Sequence, residues 1–225
     1  MCGRFAYFVP TAQLLTEYQL SSAPEFPARY NIAPTQNVVA IRESADGVRS
    51  AVLLRWGLVP HWAKDASIGN RMINARGETV AEKPAFRQAF KRRRCIIPAS
   101  GFYEWGPSRA GKWPYYIRAA RKPMLSLAGL WEHWTGPDAE PLETCTIVTV
   151  AAAPSLRQVH ERMPLCLPET AYAAWLDPAS PPESCLKLLE PAAPPGFEVH
   201  PVSRAVNSPR NDTSALVETV EIPGG

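Results

Sequence analysis

The sequence has no apolar run long enough to cross a bilayer, and its first residues lack the charged-then-apolar pattern of a secretory signal. We therefore expect a cytoplasmic protein that has no membrane partner. The 5 cysteines and 4 histidines are widely scattered, and no C-x-x-C pair occurs. This spacing argues against a disulfide framework and against a metal site, so we expect no metal and no cofactor.

The sequence also has little excess charge, since its formal net charge is only +3. The distribution is more informative than the total, because Arg87 and the run Lys91–Arg94 place basic residues close together. If residues 84–92 are helical, Arg87, Lys91 and Arg94 share one face, which suits phosphate groups. A solvated helix face would explain the same residues.

Long helical periodicity is scarce, whereas strand-like runs separated by Pro- and Gly-bearing segments are frequent. This pattern argues against a doubly wound parallel sheet. It predicts a single α+β domain over residues 2–218, with a largely antiparallel β-sheet folded into a barrel-like core and short peripheral helices. Residues 219–225 are predicted to form a loosely ordered tail. The predicted strands are 38–42, 48–56, 71–74, 94–97, 115–118, 124–130, 145–150 and 197–202, and the predicted helices are 11–19, capped by Thr11, 84–92, 155–161, 169–176 and 183–189.

Cys2 is the most informative residue for function. Initiator methionine is usually removed before a small residue, and its removal would leave Cys2 with a free α-amine beside its own thiol. An α-amine has a reference pKa of about 7.7–8.0, so part of it is unprotonated near neutrality. Such a pair can serve as an N-terminal nucleophile, or it can condense with an aldehyde to a Schiff base and then a thiazolidine. From its position alone, the alternative explanation is that Cys2 is a residue without function near the terminus.

Two further segments carry aromatic, amide and guanidinium groups. Trp56 and Trp62 flank a Gly- and Pro-bearing turn, where exposed rings can stack on unpaired bases. Asn74 can orient a hydroxyl or carbonyl oxygen, and Arg76 lies two residues on, on the same strand face. Arg4, close to Cys2, is a candidate for binding phosphate. Core tryptophans and a turn asparagine are the alternative explanation.

Two candidate acid–base residues complete the set. Glu104 lies between Tyr103 and Trp105 in the sequence, and an apolar pocket there would raise the pKa of its carboxyl group and suit it to proton transfer. His160 is expected to close a short helix, where the helix dipole favours its charged form. An exposed edge-strand glutamate and a structural histidine are the alternatives.

Taken in order, seven segments resemble the SOS-response-associated peptidase (SRAP) family, whose members shield abasic sites in DNA. The resemblance covers roughly residues 2–207. The matching segments are Cys-Gly-Arg-Phe from Cys2, Tyr30–Pro34, Trp-Gly-x-x-Pro-x-Trp from Trp56, Asn-Ala-Arg-x-Glu-Thr from Asn74, Gly101–Trp105, His-x-Arg-Met-Pro from His160 and His200–Ser203.

The resemblance implies a function and a role for each matched residue. Cys2 would capture the sugar aldehyde of an abasic site in single-stranded DNA, including single-strand to duplex junctions, as a thiazolidine crosslink. Asn74 would steady the sugar, Glu104 would shuttle protons, and His160 would assist sugar ring opening. Arg4 and Arg76 would hold phosphates, while Trp56, Trp62 and Phe102 would stack on or wedge bases.

Other consequences follow from the same reasoning. DNA binding is expected to be salt-dependent and nearly independent of base sequence, with strand cleavage as a side reaction of the Schiff base. We expect a monomer that associates with the nucleoid when it is bound to DNA during the SOS response. A cysteine hydrolase that acts on peptides or amides through Cys2, including self-processing, is the alternative from another class. A non-catalytic nucleic-acid-binding domain that uses only the basic face of 87–94 is the third.

Overall fold

The computed structural model describes residues 2–136, 140–190 and 196–223, which form twelve strands and four short α-helices. The strands are β1 Phe5–Tyr7, β2 Arg29–Ile32, β3 Asn37–Glu43, β4 Arg49–Trp56, β5 Asn74–Arg76, β6 Arg94–Ala99, β7 Gly101–Ser108, β8 Gly111–Ala119, β9 Leu125–Thr135, β10 Pro141–Ala151, β11 Arg162–Pro164 and β12 Phe197–Pro201. The helices are α1 Thr11–Tyr18, α2 Arg87–Arg92, α3 Tyr172–Leu176 and α4 Pro182–Lys187, joined by 3₁₀ turns at Ala66–Arg71, Gly77–Thr79, Pro154–Leu156, Glu169–Ala171, Arg204–Asn207 and Ser214–Val217.

Five strands close into a barrel, which confirms the predicted barrel-like α+β core. β3 pairs with β4 and β6, β6 pairs with β9, and β9 pairs with β10, all antiparallel. The circle closes where β10 runs parallel to β4, with Thr144 opposite Arg55 and Cys145 opposite Trp56. β5 and β11 extend this sheet on opposite edges of β10, so the segments that carry Asn74 and His160 flank the same strand.

A second, antiparallel sheet has the strand order β12-β8-β7-β1-β2. Side chains alternate between the two faces along each strand of this sheet, and both faces are packed. Phe102 and Ile117 pack into the main core, whereas Tyr103 and Tyr116 belong to a smaller cluster with the C-terminal segment. The residues of the C-terminal segment in this cluster are Val202, Val206 and Leu216.

Several predicted boundaries were wrong for local reasons. The strand predicted at 71–74 is a 3₁₀ turn over Ala66–Arg71 followed by a strand that begins at Asn74. Asp65 caps that turn by accepting a hydrogen bond from the Ser67 N–H group at 2.6 Å. Thr11 is the first helical residue of α1 rather than its cap, since Pro10 precedes the helix. The helix predicted at 155–161 is a 3₁₀ turn over Pro154–Leu156.

The C-terminal boundary at residue 218 stays a prediction. The Val220 N–H group donates to the Pro201 carbonyl at 3.0 Å, so the chain returns to β12 just after that boundary. Residues 224 and 225 of the predicted tail lie outside the described residues. Among the helices in the described ranges, none combines the length and the apolarity that a bilayer crossing requires.

Alkaline pH is expected to destabilise this fold through its buried thiols. Burial raises the pKa of Cys2, Cys95 and Cys145 well above the ordinary value of 9.0, and raises that of Cys166 to about 12. As pH rises through 9 the unfolded chain releases these protons and the folded protein keeps them, so stability falls, and well below that pH these thiols do not change stability. Each thiol should lower the free energy of unfolding by about 1.4 kcal/mol between pH 8 and pH 10.

Urea unfolding at the two pH values measures this loss. Cys145→Ala is the informative variant, because it removes one buried thiol. The free energy of unfolding that is lost between pH 8 and pH 10 should then be smaller by the contribution of one thiol, independently of how the substitution changes stability at pH 8. An unfolding free energy that stays constant from pH 8 to pH 10 would contradict the assignment of neutral, buried thiols.

Candidate functional site

Cys2 lies where the second sheet meets the barrel. β1 runs antiparallel to β7 with Phe5 opposite Phe102, so the residues before Phe5 run along the residues that follow Phe102. The Tyr103 N–H group donates to the Arg4 carbonyl at 2.9 Å and continues this pairing. The side chain of Cys2 is fully buried, and its thiol contacts the Arg4 carbonyl at 3.9 Å.

Asn74 holds the backbone of Cys2 from the barrel side. Its Nδ2 donates to the Cys2 carbonyl oxygen at 2.8 Å. Its Oδ1 is buried and accepts no hydrogen bond from the described residues, which leaves an acceptor for a ligand hydroxyl. Asn74 opens β5, which lies parallel to β10 with Asn74 opposite Ile147. Arg76, two residues on, is exposed.

Glu104 approaches the same place from β7, with only 3% of its surface exposed. Burial raises the pKa of the Cys2 thiol, and the nearby charge of Glu104 raises it further. Glu104 therefore lies close enough to Cys2 to influence its ionisation. The predicted pocket between Tyr103 and Trp105 was wrong, because neighbours on a strand point to the opposite face and pack with the C-terminal segment.

His160 lies beyond the 3₁₀ turn, before β11. Its Nδ1 accepts a hydrogen bond from the Arg162 backbone N–H group at 2.9 Å. In this arrangement Nε2 is the ring nitrogen that can donate a proton. The short helix predicted to end at His160 is a 3₁₀ turn that ends at Leu156, so the helix dipole invoked for His160 was wrong.

Glu78, Arg162 and Thr149 support this region, although no role was predicted for any of them. Glu78 and Arg162 lie within the matched motifs. The guanidinium group of Arg162 forms a fork on Glu78, with distances of 2.8 and 2.9 Å to the two carboxylate oxygens. It also donates to the Thr149 carbonyl at 2.7 Å. The hydrogen bond from Arg162 holds the pKa of Glu78 below its usual value.

Arg4 uses part of its side chain to anchor the C-terminal segment. Its Nη1 donates to Asn31 Oδ1 at 2.8 Å and to the Val206 carbonyl at 2.6 Å. Asn31 is fully buried and donates to the carbonyls of Val206, Ser208 and Asn211. Arg4 thus has a structural function that the sequence did not indicate, and its contact with phosphate stays a prediction.

Three predicted DNA contacts are not available to DNA in this structure. Trp56 is fully buried and donates from its indole to the Ile73 carbonyl at 2.9 Å. Phe102 is also fully buried, and its ring meets Phe197 edge-on. Arg94 is 2% exposed because it begins β6 rather than continuing α2. Its guanidinium group is surrounded by backbone carbonyls, so it does not share the basic face with Arg87 and Lys91.

The other predicted DNA contacts are accessible. Trp62 is 50% exposed, and Arg87 and Lys91 are exposed on α2. Trp62 and Arg87 line one open groove of about 550 Å³, together with His61 and Gln88. This arrangement combines an aromatic face with a cationic side chain, which suits a nucleic-acid strand.

Comparisons with known proteins agree with these observations. A family model described as SOS response associated peptidase (SRAP) matches residues 1–209. The abasic site processing protein YoqW of Bacillus subtilis (strain 168) is 39% identical over 224 residues, which cover 97% of this chain and 100% of that protein. The abasic site processing protein HMCES of Gallus gallus is 34% identical over 208 residues, which cover 81% of this chain and 61% of that protein.

A crystal structure of a protein from Bacteroides thetaiotaomicron has the same fold, with a TM-score of 0.87 over 98% of this chain and 100% of that chain. Its sequence identity is 24%, so the likeness concerns the fold alone. The match of the family model over residues 1–209 and the 39% identity to YoqW decide the membership. The chain belongs to the SOS response associated peptidase (SRAP) family.

Proposed function

We propose that this protein processes abasic sites in single-stranded DNA by forming a thiazolidine crosslink through Cys2, after removal of Met1. The observation that carries the proposal is the hydrogen bond from Asn74 Nδ2 to the Cys2 carbonyl, next to buried Glu104. That bond fixes the residue whose amine and thiol would react, and a fixed geometry lowers the entropic cost of two successive attacks. The relatives YoqW and HMCES carry the name abasic site processing protein, which supports this substrate.

The proposed chemistry proceeds in two balanced steps. The Cys2 amine nitrogen attacks the C1′ aldehyde carbon of the ring-opened sugar, and the resulting carbinolamine loses one water to give a Schiff base. The thiol sulfur then adds to the C=N carbon, and the thiol proton ends on the nitrogen. The product is a five-membered ring, and the net loss is one water.

The state of the thiol determines the order of these steps. Burial and the charge of Glu104 raise the pKa of the Cys2 thiol, so the sulfur is protonated at neutral pH and is a poor first nucleophile. The α-amine, with a reference pKa of about 7.7–8.0, is the better one. Glu104 accepts and returns protons at the amine and thiol, and His160 donates from Nε2 during sugar ring opening.

DNA is bound mainly through its backbone. Exposed Arg76, Arg87 and Lys91 bind phosphates, and Trp62 stacks on a base or wedges a single-strand to duplex junction. Arg4 is a further phosphate ligand through the part of its guanidinium that Asn31 does not use. Binding without base contacts is independent of sequence and weakens as salt rises. The protein acts as a monomer in the cytoplasm, associated with the nucleoid, and shields lesions during the SOS response.

Amide hydrolysis through Cys2, as in a peptidase, is less well supported. It requires a thiolate as the first nucleophile, and the raised pKa of Cys2 opposes its formation. Self-processing that removes Met1 is the only peptidase action that the proposal retains. Strand cleavage at the Schiff base is a side reaction, which closure of the thiazolidine suppresses.

The variant Cys2→Ser tests the proposed order of attack. Serine keeps the α-amine but closes the ring less favourably, so the Schiff base should persist and be captured by borohydride on DNA that carries one abasic site. Strand cleavage should increase over that of the unchanged protein. Intact mass must first confirm that Met1 is absent, and DNA without an abasic site is the control. If Cys2→Ser gave neither trapping nor cleavage, the amine would not be the first nucleophile.

A further inference from the structure

The segment that carries His160 is tied to the segment that carries Asn74 by one ion pair. Glu78 follows β5 in the 3₁₀ turn Gly77–Thr79, and Arg162 begins β11. These two segments lie on opposite edges of β10, so the fork between Glu78 and Arg162 crosses the end of that strand. Arg162 adds a bond to the Thr149 carbonyl of β10 itself, at 2.7 Å.

We infer that Glu78 is a positioning residue that acts through Arg162 to hold His160 in the Nε2-protonated tautomer. The inference rests on the proposed function in one respect, which is that the Nε2 proton of His160 is donated during sugar ring opening. The backbone N–H group of Arg162 reaches His160 Nδ1 at 2.9 Å, whereas its side chain reaches Glu78 at 2.8 and 2.9 Å. One residue thus connects an exposed carboxylate with the ring of His160.

The anchor is needed because β11 is short. β11 has 3 residues, and Arg162 is its first, opposite Ala151 near the end of β10. Beyond Arg162 the pairing with β10 continues through one bond, from the Ala152 N–H group to the Glu161 carbonyl at 2.8 Å, and strand ends fray. A two-point bond between guanidinium and carboxylate fixes both distance and orientation, which a single contact does not. With Arg162 held, Nδ1 always meets a donor, and the ring proton stays on Nε2.

The expected effect is on the ring and the rate rather than on global stability. The side chain of Glu78 is 53% exposed, and exposed ion pairs contribute little to stability. A histidine that is protonated on Nδ1 presents no proton at Nε2, so every molecule in that tautomer is inactive as a donor there. Loss of the fork should therefore lower the rate of crosslink formation at saturating DNA and leave DNA affinity nearly unchanged.

The test uses Glu78→Gln, with Glu82→Gln as the matched control. Glu82 is also exposed and accepts no hydrogen bond from the described residues, so it controls for the loss of one surface charge. Long-range ¹H–¹⁵N spectra of the ¹⁵N-histidine-labelled protein at neutral pH report the His160 tautomer without DNA. The unchanged protein and Glu82→Gln should show Nε2 protonated, and Glu78→Gln should show a mixture of tautomers.

Single-turnover crosslinking to DNA with one abasic site gives the second readout. Glu78→Gln should slow the step roughly 3- to 10-fold at saturating DNA, a fraction of what a general acid contributes. In a His160→Gln background the same change should have no further effect on the rate. An unaltered tautomer in Glu78→Gln, or an equal loss in the His160→Gln background, would overturn the inference. Absence of crosslinking by the unchanged protein would instead overturn the proposed function.

Discussion

Cys2→Ala is expected to abolish the heat-stable crosslink to abasic single-stranded DNA while leaving salt-sensitive DNA binding. Alanine keeps the α-amine but has no sulfur to close the ring, so condensation stops at a reversible Schiff base. The yield of the stable crosslink should fall by more than about a hundredfold, as when a nucleophile is removed. A denaturing gel without reductant, run after heating, measures the yield.

Cys166→Ala is the matched control for this variant. Cys166 is a half-buried cysteine whose charge would affect the ionisation of Cys2, so it lies in the same electrostatic environment. Its thiol contacts the Pro164 carbonyl at 3.6 Å and takes no part in the proposed chemistry. Cys166→Ala should crosslink with a normal yield. A normal yield from Cys2→Ala would remove the thiazolidine from the account.

Arg94→Met is expected to destabilise the fold strongly without a specific effect on DNA. The guanidinium group of Arg94 donates to the carbonyls of Phe90, Lys91, Trp175 and Asp177 at 2.5–2.7 Å. It therefore joins α2 and the start of β6 to the end of α3. Methionine fills part of the space but donates nothing, so four carbonyl acceptors lose their partner, two of them in fully buried bonds.

The expected cost is about 3–5 kcal/mol, as for other broken buried networks. For a chain of this size that corresponds to a fall in Tm of roughly 10 °C, which differential scanning calorimetry measures. Arg87→Met is the control, since Arg87 is exposed on the same helix and its loss should leave Tm unchanged. If Arg94→Met kept its Tm but lost DNA affinity, the buried role of Arg94 would be wrong.

The predicted DNA contacts that lie buried were misassigned for different physical reasons. Trp56 and Trp62 flank the same turn and look alike in the sequence, yet one is fully buried and the other is half-exposed. The turn itself carries no signal for which ring faces inward, because that depends on strands distant in the chain. Arg94 was misassigned because the helical face was extended past residue 92, where the predicted helix and α2 both end, into β6, which begins at Arg94.

Other features followed from local pattern. The strand runs and turn residues predicted an antiparallel barrel-like core, and the barrel confirmed it. The parallel pair of β10 with β4 that closes the barrel joins residues about 90 positions apart and leaves no local trace. β5 contains both Asn74 and Arg76, and their shared face stays a prediction. The same rule, applied to Glu104, would have placed Tyr103 and Trp105 on the other face of β7.

The most direct test of the central claim is the mass of the crosslinked peptide. The protein is incubated with single-stranded DNA that carries one abasic site, without borohydride, and the product is digested with nuclease and trypsin. Trypsin cuts after Arg4, so the account predicts the peptide Cys2-Gly3-Arg4 bearing one deoxyribose remnant, with the loss of one water and no free thiol. A remnant on a lysine, or on a peptide that still begins with Met1, would contradict the account.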